Sequence, residues 1–428
     1  MIEKILFFLF LVTAIIVFAR KIKTIRKGIL SGQKKEINDH PEIRLRNLVL
    51  IAFGQKKMFR RPVHATLHAF IYIGFLVINL EVLEIVIDGL SGSHRILSFA
   101  GPLYDGLMAT NELLGLLVVI ACIYLLIRRN FWVLGRFKGN EIGVPQRRDA
   151  NLILIIELAL MAGLFLFNAA DIAIHATESE AMAGLFPVSM YLAPYLGSET
   201  ELLNLFRSSG WWFHIVGIFL FLNYLPYSKH FHIIMAFPNT WYSKLTPAGK
   251  LNSPESITRE IHTILNPSMN VETVGNEPVL LGAKDTNELS WKQLLDSYSC
   301  TECGRCTSSC PANLTGKKLS PRKIVMSVRD RIEDLEKNKE SEKTLLNHFI
   351  SAEELWACTT CNACVTECPV SIDPVSTIIE LRRHMVMEQS SAPTSLNNMF
   401  TNIENNGSPW AFSAMDRFNW ASDITISA

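Results

Sequence analysis

Cys300-Thr301-Glu302-Cys303-Gly304-Arg305-Cys306-Thr307-Ser308-Ser309-Cys310-Pro311 returns in pattern as Cys358-Thr359-Thr360-Cys361-Asn362-Ala363-Cys364-Val365-Thr366-Glu367-Cys368-Pro369. Three thiolates spaced by three, a fourth four residues later, then proline, is the spacing that holds a [4Fe-4S] cubane; in the doubled form the fourth cysteine of each run ligates the other cluster. One cluster is therefore expected on Cys300, Cys303, Cys306 and Cys368, and the other on Cys358, Cys361, Cys364 and Cys310. Zinc sites also use paired Cys-x2-Cys, and disulfides also consume even numbers of cysteines. Neither accounts for four cysteines plus proline, repeated. Eight of the nine cysteines lie in these runs, and the ninth, Cys122, stands alone in an apolar stretch.

Working outward, the 428 residues are 49% hydrophobic and only 19% charged, with a formal net charge of +1. That composition argues against a single soluble enzyme, and with no global excess of positive charge nothing advertises nucleic acid as a partner. The long apolar runs all precede residue 235. Five reach the roughly 20 residues that a membrane-crossing helix needs: Met1 to Ala19, His64 to Ile87, Leu103 to Ile127, Leu152 to Ile174 and Trp211 to Tyr227. The first is no signal peptide, because its basic cluster (Arg20 to Lys27) follows the apolar run. The loop from Arg20 to Pro62 carries thirteen Lys and Arg against three acids, and that from Arg128 to Asp149 six against two. By the positive-inside rule those loops face the cytoplasm, the N-terminus lies outside and the cysteine half lies inside, on a multi-pass protein of the cell inner (cytoplasmic) membrane.

An imidazole within a span calls for a partner or a metal. His64 and His68 share a helical face near the inner start of the second span, His230 and His232 follow the inner end of the fifth, and His214 lies near its outer end. His68 and His232 come out at similar depth on antiparallel helices, the arrangement that bis-histidine ligation of a haem b requires. The stretch Phe213-His214-Ile215-Val216-Gly217, running through Pro226-Tyr227-Ser228-Lys229 to His232 and Phe237-Pro238, resembles the last helix of the nitrate reductase gamma subunit, a membrane cytochrome b. That resemblance implies that His214 and His232, eighteen apart, face two different haems, and that His68 in Leu67-His68-Ala69-Phe70 is the inner partner. The family's outer ligand on the second helix would fall near Ile78 or Asn79, neither a haem ligand, so a second haem turns on whether His175 replaces it. Acids within spans (Glu81, Glu84, Glu112, Glu157, Asp171) should face protein or a cavity, as buried hydrogen-bonding groups or as proton acceptors for a quinone.

Asn239 to Ser299 is polar and proline-punctuated, which reads as a linker. Between the cysteine runs, Ser320-Pro321 starts a helix with Ile324, Val325, Val328, Ile332 and Leu335 at helical spacing, and Ser351 with Glu354 forms a capping box. The fold expected is all-α: a transmembrane helical bundle of five spans, followed by an α-helical two-[4Fe-4S] ferredoxin-type domain. The division expected is 1–235 for the haem b domain, 236–289 for the linker, 290–390 for the dicluster domain and 391–428 for a docking tail bearing Trp410, Phe412, Phe418 and Trp420.

Trp291-Lys292-Gln293-Leu294-Leu295-Asp296, Cys303-Gly304-Arg305-Cys306, Cys310-Pro311-Ala312-Asn313 and Leu319-Ser320-Pro321-Arg322-Lys323 resemble the membrane-bound heterodisulfide-reductase-like iron-sulfur oxidoreductases. Members of that family continue into a domain with paired Cys-Cys-Gly motifs, absent here, so the resemblance implies a separate Cys-Cys-Gly subunit as partner. It also implies a soluble dehydrogenase or electron-transferring flavoprotein at one end and membrane quinone, with menaquinone the form expected, at the other. No catalytic residue is read from the chain; it is expected to be an electron-transfer subunit of a quinone-linked oxidoreductase. The rival readings are a membrane-tethered iron-sulfur redox sensor and the anchor of a different quinone-linked reductase.

Overall fold

The computed structural model describes residues 2–424 except 133–134, 138, 140, 142, 179–181, 252, 267–279 and 339–340. The expected linker therefore lies partly outside the described residues, as do the last four residues of the expected docking tail. Among the described residues there are helices and turns and no strand. Five helices are long and apolar enough to cross a membrane: α1 (Ile2–Ile29), α2 (Pro62–Ser91), α3 (Pro102–Asn130), α4 (Val144–Glu178) and α5 (Thr200–Tyr224). The chain is an all-α membrane protein with a helical cysteine half. Proline occupies the first turn of α2 and α3, where its missing N–H goes unneeded and its fixed φ favours the helix.

The helices pack as a ring, α1 on α2, α2 on α3, α3 on α4, α4 on α5 and α5 back on α1. Small residues permit close approach: a Cβ on Gly210 of α5 would stand 2.8 Å from the Phe167 amide nitrogen of α4, as expected where packing rather than hydrophobic exclusion drives association in lipid. The side chains facing lipid on α1, such as Ile5, Phe8 and Leu9, are exposed in the isolated chain. Pro226 interrupts α5, whose last turns tighten through Leu225–Tyr227 and Lys229–Phe231 before α6 (His232–Trp241) begins. The division expected at residue 235 thus falls inside α6, which packs on α7 (Trp291–Tyr298) of the cysteine half.

The cysteine half is built on α7 and on α9 (Pro321–Lys337), which runs between the two cysteine runs, with α11 (Pro374–Arg383) after them. Short helices α8 (Arg305–Ser308) and α10 (Ala363–Glu367) lie within the runs themselves. Ser320 caps α9 by accepting from the Lys323 amide, and Ser351 and Glu354 form the capping box. The core of this half includes Leu294, Tyr298, Ile324, Val328 and Ile332, and it also takes Ile25 and Ile29 from α1. Hydropathy alone ends the first span at Ala19. The helix runs ten residues further because Lys and Arg are good helix formers and the apolar stripe of Ile22, Ile25 and Ile29 has a cytoplasmic core to bury in.

Beyond α1 the chain crosses α7 so closely that a Cβ on Gly32 would stand 2.6 Å from the Leu289 carbonyl oxygen and 2.8 Å from the Trp291 amide nitrogen. Gln33 clamps this crossing, its amide donating to the Leu289 carbonyl at 2.8 Å and its carbonyl accepting from the Trp291 amide at 3.1 Å. Gly32→Ala should therefore destabilise the docking of α1 on the cysteine half by about 1–3 kcal/mol, the usual range for overpacking. A lowered thermal midpoint in detergent, against an unchanged Gly106→Ala control whose Cβ meets nothing within 4 Å, is the measurement that checks it.

Candidate functional site

The two cysteine runs adopt one backbone. Glu302 and Thr360, each two residues after the first cysteine, have φ of 56° and 54°; Gly304 and Asn362, two further on, have 71° and 60°. These left-handed turns aim the Glu302 and Thr360 amides back at the Cys300 and Cys358 sulfurs, at 3.4 Å in both cases. The Ile372 amide does the same for Cys368 at 3.3 Å. Amide donors on a thiolate stabilise its charge, one of the levers on a cluster's potential.

Cys300, Cys303, Cys306, Cys364 and Cys368 line one opening of about 30 Å³, the expected first-cluster set together with one cysteine of the other. Cys310 is buried, and the electrostatic neighbours of Cys358 and Cys364 include it. A tetrahedral zinc would draw sulfurs to about 2.3 Å from one point. Among the described residues no three metal-ligating side chains converge in that way. The repeated Cys-x2-Cys-x2-Cys-x3-Cys-Pro spacing around this opening is what suits clusters.

Lys57 and Asn239 tie the end of the second run to the membrane half. Lys57 Nζ donates to the Cys368 carbonyl and to Ser371 Oγ at 3.3 and 3.0 Å, and Asn239 Nδ2 donates to the Val370 carbonyl at 2.9 Å. The first run is held through Glu302, whose carboxylate accepts from Lys229 Nζ at 2.9 Å and from Arg329 at 2.5 Å. Burial alone would raise this carboxyl; the two cations hold it below its ordinary value. Arg322, 1% exposed, donates from one side to the Arg136 carbonyl and from the other to Glu141 at 2.6 Å.

A cavity of about 460 Å³ joins the two halves. Its membrane end is lined by His64, His68, Tyr72, Glu157, His230 and His232, and its other end by Glu302, Cys303, Arg305 and Val370. The rings of His68 and His232 face each other across 6.3 Å, with His230 5.6 Å from His232. A metal about 2 Å from one nitrogen of each of two opposed imidazoles sets ring centres roughly 6 Å apart, so this pair fits a bis-imidazole iron. The hydrogen bonds agree. His68 Nδ1 donates to Gln55 Oε1 at 3.0 Å and His232 Nδ1 to the Lys229 carbonyl at 3.0 Å, which leaves each Nε2 lone pair free for a metal. Burial pushes the His230 imidazole down to about 3 and lowers His232 as well, keeping both neutral.

The outer residues are placed differently. His214 is buried, its Nδ1 donating to the Leu160 carbonyl at 2.8 Å and its Nε2 without a partner. His175 bonds the Asp171 carbonyl at 2.8 Å and sits 3.8 Å from the Asp171 carboxylate, beside His94, Arg95 and Arg207. His94, which sequence reasoning did not single out, shares this position. Gln55, Arg305 and the Glu302 bracket were missed as well, for they are recognisable only from contacts distant in sequence.

Residues 299–372 match the family model of the 4Fe-4S dicluster domain. The resemblance to heterodisulfide-reductase-like iron-sulfur oxidoreductases is borne out. The chain is 27% identical over 453 residues to a probable iron-sulfur-binding oxidoreductase of Bacillus subtilis, covering 97% of this chain and 60% of that one. It is 27% identical over 433 residues to an EtfAB:quinone oxidoreductase of Syntrophomonas wolfei, covering 93% and 56%. One subunit of a CoB-CoM heterodisulfide reductase of Methanosarcina acetivorans is 37% identical over 99 residues, 23% of this chain and 52% of the relative. The chain thus spans less than two thirds of the relatives it matches along most of its length. No solved structure matches it. It is an electron-transfer protein with iron-sulfur clusters.

If the fourth cysteines cross over between runs, Cys310→Ala should cost the cluster of the second run and Cys368→Ala that of the first, each leaving roughly four of eight non-haem irons. Iron analysis with the electron paramagnetic resonance spectrum of each variant reads the assignment: loss of the cluster of the mutated run itself would reverse it.

Proposed function

We propose that the chain relays electrons between the membrane quinone pool and a soluble redox partner. In this reading Cys300, Cys303, Cys306 and Cys368 hold one [4Fe-4S] cluster, Cys358, Cys361, Cys364 and Cys310 hold the other, and His68 and His232 hold a haem b. Bound there, these groups supply one-electron chemistry, and the protein sets their order and potentials. The observation that carries the reading is the single cavity running from His68 and His232 to Cys303. The names of the quinone oxidoreductase and heterodisulfide reductase relatives support it.

The residues divide the labour. Gln55 and the Lys229 carbonyl orient the two imidazoles and fix which nitrogen is free. Arg305 and Arg136, on the cavity wall, offer positive charge to any carboxylates carried by the bound group. Lys57 and Asn239 keep the Cys368 loop against the bundle. Cys361 is exposed whereas Cys303 faces the cavity, so the first-run set serves the membrane and the second-run set serves the soluble partner. That partner is a Cys-Cys-Gly iron-sulfur subunit or domain, itself served by a dehydrogenase or electron-transferring flavoprotein. The basic loops Arg20 to Pro62 and Arg128 to Asp149 favour a cytoplasmic cysteine half and an N-terminus outside.

The test is iron content and an optical spectrum of the detergent-purified protein before and after a menaquinol analogue. About eight non-haem irons with b-type bands that quinol reduces is the expected result; irons without haem would favour the sensor reading. His68→Ala and His232→Ala should each abolish the b-type bands while the iron-sulfur absorbance stays. Gln55→Leu should keep the haem but weaken its binding by about 10–100-fold, the usual effect of removing a group that orients a ligating histidine, read by haem transfer to apomyoglobin.

A further inference from the structure

Five carboxylates are buried in the part of the bundle remote from the cysteine half: Glu81, Glu84 and Asp88 on α2, Glu112 on α3 and Asp171 on α4. Four are satisfied by fixed donors. Asp171 accepts from Arg95 at 2.9 Å and His94 at 3.1 Å, and Glu84 from Tyr104 at 3.0 Å and the Leu97 amide at 2.9 Å. Asp88 accepts from the Arg95 and Ile96 amides at 2.7 and 3.1 Å, and Glu112 from the Val188 and Ser189 amides at 2.7 and 2.8 Å. These four pin the distal loops to the helix ends, and that is a sufficient account of them.

Glu81 is different. One of its oxygens accepts from Asn111 Nδ2 at 3.2 Å, while Glu81 Oε1 and Asn111 Oδ1 are both buried without a partner. The two residues are 2% and 0% exposed. On α5, the helix whose Trp211 and Ile215 pack in one cluster with Val82 and Ile85 of α2, His214 adds a further acceptor without a partner, Nε2. Three acceptors therefore meet no donor among the described residues, in a stretch where lipid offers none. A ligand that repairs this must bring hydrogen-bond donors into an apolar site.

We propose that Glu81 and Asn111 form the subsite for a hydroxyl of a hydroquinone head group, which donates its single proton to Glu81 Oε1 while Asn111 Nδ2 holds the other carboxylate oxygen in place. The inference rests on the quinone reading above and gives it a place in the bundle. A hydroquinone reaches the site from the lipid, to which the flanking Leu80 and Leu83 are 47% and 54% open. A buried water is the other source of the same donor chemistry, and the test separates the two.

The probe is 2,3-dimethyl-1,4-naphthohydroquinone, titrated into the full chain in detergent, with binding read from quenching of tryptophan fluorescence. Trp211 and Trp212 pack in one cluster with Val82, the residue after Glu81. Glu81→Gln keeps the shape and supplies the missing donor from its own amide, so the variant folds with the site already satisfied. Binding should weaken about tenfold or more, as for a hydrogen bond to a charged group. Asn111→Leu, which removes the polar atoms altogether, should weaken it likewise. Binding unchanged in both variants overturns the subsite, as does a wild-type chain that binds no hydroquinone while a bound-water O–H stretch that shifts in heavy-oxygen water is lost in Glu81→Gln, the mark of a water occupant. Unchanged binding together with quinol-reduced haem would remove the subsite and leave the relay; haem that no quinol reduces in the wild type would remove the relay itself.

Discussion

Glu302 sits between Lys229, which follows the fifth span, and Arg329 on α9, and that buried triad sets where the first cysteine run meets the membrane bundle. A carboxylate taken out of water between two cations repays its desolvation only where the geometry is good, and such groups are weak evidence for stability. Their better-attested use is to fix register. Here the register is between two halves that also touch through α1, α6, Lys57 and the Arg136–Glu141 loop, and a slip of one helical turn would carry Cys303 off the cavity that reaches His68 and His232. The side chain that carries the contact belongs to the cysteine loop itself, so the bracket and the sulfur two residues before it move together.

The two runs share a backbone and differ in chemistry at the position that matters. Residue 302 is glutamate and faces the bundle; its counterpart, residue 360, is threonine, whose hydroxyl bonds only the neighbouring Thr359 carbonyl at 2.8 Å. Gly304 is likewise answered by Asn362, both in the left-handed region that glycine and asparagine tolerate. At Gly304 an added Cβ would stand 2.5 Å from Arg322 Nη1, the buried guanidinium that ties this turn to Glu141. One fold of loop thus does two jobs, with the buried copy packed against the bundle and the copy containing Cys361 left open.

The helical class, the five spans and the cysteine runs were legible because each is written in local spacing: apolar length, Cys-x2-Cys-x2-Cys-x3-Cys-Pro, and caps at Ser320 and Ser351. The facing of His68 and His232 was legible too, since antiparallel helices of known length bring matched depths together. What spacing could not reveal are partners drawn from remote segments. Gln55 bonds His68 from a turn thirteen residues earlier, Lys229 reaches Glu302 across 73 residues, and Gly32 meets Leu289 and Trp291. The continuation of α1 past its apolar run was hidden for the same reason: only the core that buries Ile25 and Ile29 shows why its charged turns stay helical.

Polar groups inside the bundle divide along the same physical line. Where a distal loop offers amides or Arg95, a buried carboxylate is satisfied and serves as a fastener; at Glu81 and Asn111 no donor among the described residues reaches the second carboxylate oxygen or the amide oxygen. The histidines follow suit. The four at matched positions, His68, His175, His214 and His232, each use Nδ1 on an oxygen of the protein, and this fixes the tautomer and leaves Nε2 as an acceptor. At the cytoplasmic end two such nitrogens share one cavity and can meet across a single iron. At the distal end His175 is engaged with the Asp171 cluster while His214 points its free nitrogen into the bundle core. The same residue type with the same hydrogen bond therefore has a partner across a cavity at one end and none fixed at the other, which is why the proximal pair carries the haem assignment and the distal level is the one that awaits a donor.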